Sequence, residues 1–146
     1  MRVKTLLIST ALLTAMPVMA TPPTAGKISP ERQVATHDMF EHVVNIPTVF
    51  GRGKVPEMAN YLADQYKAAG FPAADVEVVP YESVDSVAKV AEKTAALIVR
   101  WRAPGKAKAK PIMLMGHMDV VEAKREDSTT DPFVLTAKDG YYYGRG

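Results

Sequence analysis

The residues best suited to chemistry in this chain are His117 and Asp119, in the run Gly116-His117-Met118-Asp119. They lie two apart, so an extended backbone projects both to the same side. A neutral imidazole is a good zinc ligand, and a nearby carboxylate can fix its tautomer and raise its basicity. The pair therefore makes sense as one metal ligand, His117, with an orienting acid, Asp119. Residues 111–115 precede the pair directly and read as a short, nearly continuous apolar strand, as expected in a sheet covered on both faces. The end of such a strand is where open α/β sheets place ligands. Taken alone, a His-x-Asp at a strand end describes a hydrogen-bonded loop more often than a metal site.

Nothing else in the sequence completes a site around the pair. A catalytic zinc usually takes three protein ligands and keeps one position open for water. The chain has only three histidines, and His37 and His42 are five residues apart. That spacing is about 140° around a helix, so the two do not share a face. His42 reads as a surface histidine, and no His-Glu-x-x-His motif is present. Glu122, Asp127 and Asp131 are acids to spare, but no spacing sets them beside His117. Asp131 reads as a turn residue before Pro132. Tyr141 to Tyr143 read as strand packing and edge residues, and the lysines of 103–110 as a solvated hairpin tip.

The elements that must carry the pair can be read from local pattern. Ser29-Pro30-Glu31 is a helix start: a capping hydroxyl, a proline in the first turn and an acid near the positive end. Val34, Ala35, Met39, Phe40, Val43 and Val44 follow at helical spacing, and Pro47 ends the helix. A second helix is marked by Val55, Met58, Ala59, Leu62, Tyr66 and Ala69, with Pro56 in its first turn and Gly70 at its C-terminal left-handed position. Strands are expected over 75–81 and 94–102, with 83–93 ambiguous between them. Residues 133–136 and 141–143 read as a hairpin around Lys138-Asp139-Gly140. Two helices followed by buried and edge strands indicate an α/β domain with a mixed sheet.

The composition is that of a globular protein: 146 residues, 47% hydrophobic, 23% charged. The absence of cysteine excludes a disulfide scaffold and a thiolate metal site. Residues 1–20 read as a secretory signal peptide, with basic Arg2 and Lys4, an apolar run from Leu6 to Val18, and cleavage after Ala20. The expected location is periplasmic or secreted, with residues 21–29 a flexible leader. Without residues 1–20, 16 basic residues face 16 acidic ones. That balance argues against a nucleic-acid partner and, after signal cleavage, against a membrane partner.

Taken together, three runs in order resemble the start of the catalytic domain of peptidase family M-twenty, the co-catalytic zinc exopeptidases and amidohydrolases. They are Gly116-His117-Met118-Asp119-Val120-Val121, Asp131-Pro132-Phe133, and Asp139-Gly140-Tyr141-Tyr142-Tyr143-Gly144-Arg145-Gly146. Upstream, Phe40-Glu41-His42-Val43-Val44-Asn45-Ile46-Pro47-Thr48 resembles the family's first helix running into its turn, and Tyr61-Leu62 through Gly70-Phe71 its second helix and exit. The resemblance implies that 30–146 is the N-terminal part of a mixed-sheet, phosphorylase/hydrolase-like zinc-exopeptidase domain, incomplete in this chain. It implies His117 as ligand to one of two zinc ions, Asp119 as the catalytic-site acid that steers it, and Gly144-Arg145-Gly146 as a tight turn leading to a bridging aspartate. Ser128 departs from the pattern, standing where many members have tryptophan.

The reaction implied is zinc-dependent hydrolysis of a peptide or N-acyl amino acid amide bond, with a metal-bound water activated by a glutamate. The bridging aspartate, the glutamate pair, the remaining ligands and the lid domain used for homodimerisation are all absent from these 146 residues. The chain by itself is therefore expected to be inactive. The alternative is a non-catalytic exported module that binds a metal or a peptide.

Overall fold

The computed structural model describes residues 26–146 apart from Ala88. The expected signal peptide, its expected cleavage point and most of the expected leader lie outside the described residues. Helix α1 spans Pro30–Val44 and α2 spans Val55–Ala68. A 3-10 turn, Ala73–Asp75, leads into β1 (Val76–Val84), which pairs with β2 (Ala91–Val99). A second 3-10 turn, Arg125–Asp127, precedes the short strands β3 (Thr136–Lys138) and β4 (Tyr141–Tyr143). Among the described residues, no helix is long and apolar enough to cross a membrane.

The ends of the elements follow from local chemistry. The Ser29 hydroxyl caps α1 by accepting from the Arg32 N–H at 3.3 Å, and Pro30 occupies the first turn. Gly70 takes φ +94° just beyond α2, a conformation that favours glycine. Asp139 and Gly140 both have positive φ, 52° and 80°, which matches the two-residue hairpin turn whose twist suits its strands. That turn sets Lys138 opposite Tyr141 and starts β3 at Thr136, three residues later than the apolar run suggests.

The core forms where α2 lies on the β1–β2 hairpin. Met58, Ala59 and Ala63 of α2 are buried, and so are Val76, Thr94 and Ala95 of the sheet. Two alanines four apart present almost no side chain, which lets the helix backbone approach the strands closely. β1 and β2 are antiparallel in unbroken register from Val76↔Val99 to Val84↔Ala91. The ambiguous stretch 83–93 is thus the end of one strand, a turn and the start of the next.

Two expectations need correction. Residues 111–115 form no strand. Ile112, Met113, Leu114 and Met115 are 78–93% exposed, because among the described residues no strand runs beside them to supply hydrogen bonds and a covered face. Among the described residues both sheets are two-stranded and antiparallel, and the parallel pairing is confined to an isolated bridge between Val49 and Val120, so they assemble no mixed sheet. The apolar spacing of α1 does form the expected helix, although it buries only Val44, while Val34 and Phe40 are exposed. The architecture is a small α/β arrangement with two antiparallel sheets.

Candidate functional site

The loop that carries His117 and Asp119 is held by the turn between α1 and α2. Thr48 in that turn is fully buried. Its hydroxyl donates to the Met118 carbonyl at 2.6 Å, and its carbonyl accepts from the Val120 N–H at 3.3 Å. Further along, Arg52 donates to both carboxylate oxygens of Glu122 at 2.6 and 3.3 Å, and its guanidinium lies 5.0 Å over the Phe133 ring. These hydrogen bonds, with that of the Ala123 N–H and the charges of Arg52 and Lys124, hold the Glu122 carboxyl below the usual glutamate range. Glu92 of β2 ties the same turn to the sheet by accepting from the Gly51 and Gly53 N–H groups at 3.0 and 2.6 Å. Both glycines have positive φ, 88° and 62°, which lets the chain curl around one carboxylate.

At the loop itself, His117 Nδ1 lies 2.7 Å from the Asp119 backbone carbonyl and 3.5 Å from Asp119 Oδ1. A carbonyl and a carboxylate can only accept. The proton of the neutral ring therefore belongs on Nδ1, and Nε2 keeps its lone pair. That is the tautomer of an imidazole ready to ligate through Nε2. Orientation comes first from the Asp119 backbone and second from its carboxylate, whereas the sequence pattern pointed to the carboxylate alone. The two side chains are 82% and 69% exposed.

Two hollows meet at this loop. One, of about 420 Å³, lies between the loop, α2 and the sheet, and includes Thr48, Glu92, Thr94, His117 and Asp119 in its walls. The other, of about 450 Å³, is bounded by Met39, Phe40 and Val43 of α1, Met58 and Leu62 of α2, and Met118. The first mixes polar and apolar groups, while the second is almost entirely apolar.

A metal has one clear donor here. Among the described residues, no three His, Asp or Glu side chains converge, so the residues present fall short of the three protein ligands of a catalytic zinc. His37 faces Tyr142 of β4 at 5.4 Å between ring centroids, while His42 stacks on Tyr61 of α2 at 3.8 Å. Asp131 is a turn residue, with Oδ1 accepting from the Phe133 N–H at 2.9 Å. Gly144-Arg145-Gly146, expected as a tight turn, has no turn structure, and neither glycine has positive φ. Its glycines are there for close approach: a Cβ on Gly144 would come within 2.7 Å of the Val44 side chain, and one on Gly146 would collide with the Val44 carbonyl. Thr48 and Glu92 are the site-building residues that sequence reasoning passed over. Thr48 stood in the turn following α1, but nothing local marks its hydroxyl as reaching residue 118. Glu92 carries no local signal at all.

No protein-family model matches the chain, and no solved structure matches it. Over 122 residues it is 29% identical to the N-fatty-acyl-amino acid synthase/hydrolase of Mus musculus. That alignment takes in 83% of this chain, which spans 23% of the mouse protein's length. The likeness is distant and partial, and it supports a loose, M-twenty-like relationship to an enzyme.

Proposed function

We propose that this chain is the N-terminal part, residues 30–146, of a zinc-dependent hydrolase of N-acyl amino acids or peptides, an α/β domain whose mixed sheet these residues do not assemble by themselves. In this reading His117 is one metal ligand, Asp119 steers it, and the other ligands and the general base come from residues outside these 146. The observation that carries it is the His117 geometry: Nδ1 lies 2.7 Å from the Asp119 carbonyl, which leaves Nε2 as the ligating nitrogen at an exposed position. The distant relative's name supports an acyl-amino acid substrate. So does the meeting of a part-polar cleft and an apolar groove at His117, which suits a molecule with a polar amino-acid end and an apolar acyl arm. Export through the 1–20 segment belongs to the same proposal, and N-terminal sequencing of the mature protein checks cleavage after Ala20.

The test compares two forms. The 146-residue chain should bind zinc weakly and hydrolyse neither N-acyl amino acids nor dipeptides. A form extended by the missing ligands should do both, and His117→Ala in it should lower turnover by more than about 100-fold and reduce its zinc content. Zinc-dependent turnover by the short chain would overturn the proposal. Unchanged zinc content in the extended His117→Ala form would remove the ligand role.

A further inference from the structure

We propose that Thr48 is a positioning residue: by gripping the peptide on either side of Asp119, it decides which nitrogen of His117 is free. The inference rests on the reading of His117 as a ligand for its functional meaning, but its geometry stands apart from that reading. In an extended backbone, successive carbonyls point to opposite sides. The Met118 carbonyl accepts from the Thr48 hydroxyl at 2.6 Å, and the Val120 N–H donates to the Thr48 carbonyl at 3.3 Å. Both groups therefore face Thr48, and the Asp119 carbonyl between them faces away. It points instead at His117 Nδ1, 2.7 Å distant.

The side chain is needed because the backbone is occupied. A strand neighbour would normally donate its own N–H to the Met118 carbonyl. The Thr48 N–H is instead turned back onto the Ile46 carbonyl at 2.9 Å, across Pro47. The hydroxyl substitutes for it. His117 and Asp119 are themselves exposed, so water competes for every contact of the ring. A buried donor acting on the neighbouring peptide is what keeps the Asp119 carbonyl aimed at Nδ1.

A purely space-filling role for Thr48 would be met equally by valine, which has the same shape and no donor. The experiment uses the 146-residue chain labelled with nitrogen-15 at histidine, at a pH about 2 units above the ordinary histidine value of ~6.5. Nitrogen chemical shifts then report the tautomer of His117. The wild type and Thr48→Ser should be predominantly protonated on Nδ1. In Thr48→Val the ratio should move toward Nε2 protonation by about fivefold, the change one ordinary hydrogen bond supports. A wild-type ratio in a folded Thr48→Val protein overturns the assignment, as does an Nε2-protonated wild type. If Thr48→Val does not fold, the wild type decides: the buried Thr48 hydroxyl proton should be visible and slow to exchange, and its rapid exchange overturns the assignment. A tautomer that shifts as expected, alongside zinc content indifferent to His117 in the extended form, would leave Thr48 in its role and remove the metal reading.

Discussion

The α2–β1–β2 unit and the stretch from Trp101 to Leu135 solve the problem of holding a chain in opposite ways. In the first, each strand residue has a partner across the hairpin, and the helix closes one face through Met58, Ala59 and Ala63. In the second there is no strand, and Trp101, Ile112 and Leu114 are 88–93% exposed. That stretch is instead pinned at a few points, most of them on the turn from Thr48 to Gly53 or close to it, with Arg102 held separately by Asp75 and Trp101 by Phe71. The candidate site belongs to the pinned region. The difference teaches that the packed unit serves as an anchor, and that the geometry at His117 depends on a handful of polar contacts made by one turn.

The largest effect that can break this comparison is in the core. Met58→Ala should lower stability by roughly 2–5 kcal/mol, while Leu114→Ala, despite deleting as apolar a side chain, should stay within about 0.5 kcal/mol of wild type. Equal losses in urea unfolding would mean the two regions are not different. Next comes the link between them. Glu92→Ala removes the acceptor shared by the Gly51 and Gly53 N–H groups and should cost roughly 1–3 kcal/mol. Amide exchange at those two glycines should quicken while the β1–β2 amides stay protected, and a uniform loss of protection would erase the distinction between anchor and turn.

A smaller effect concerns the distal hairpin. Gly140→Val forces a branched residue to φ +80° and should cost about 1–2 kcal/mol, seen as a lower melting temperature with loss of the Ala137–Tyr142 contact. The smallest is a pH dependence. The folded-state value of Glu122 lies below its unfolded one, so its stabilising contribution is present above the unfolded value and lost as pH falls through the folded one. The pair is exposed, so the expected sign is local: weaker protection of the Ala123 amide, which donates to Glu122, below about pH 4, absent in Glu122→Gln.

Features set by neighbours in sequence were legible. Ser29 caps α1 because the N–H it serves lies three residues on, and Asp139-Gly140 turns because both residues tolerate positive φ. The α2 stripe was readable because its period matches a helix, although the most buried position beside Ala59 is Ala63, outside the apolar set read from the spacing. The 111–115 reading failed for the converse reason. Five apolar residues state a preference for burial, but a strand exists only where another backbone lies beside it. The bond from Thr48 to Met118 spans 70 positions, and nothing local announces it.

By itself, then, the sequence determined the two helices, the Ser29 cap of the first and the Gly70 exit of the second, the Asp139-Gly140 turn, and the pairing of an imidazole with a carboxylate two residues away. These depend on interactions within a few residues, where spacing and residue type dictate the geometry. Only the tertiary structure decided that the Asp119 backbone, ahead of its carboxylate, meets His117 Nδ1, and that Thr48, Arg52 and Glu92 build the support. Such contacts arise when distant segments are brought together, and their geometry depends on where the α2–sheet core places the turn.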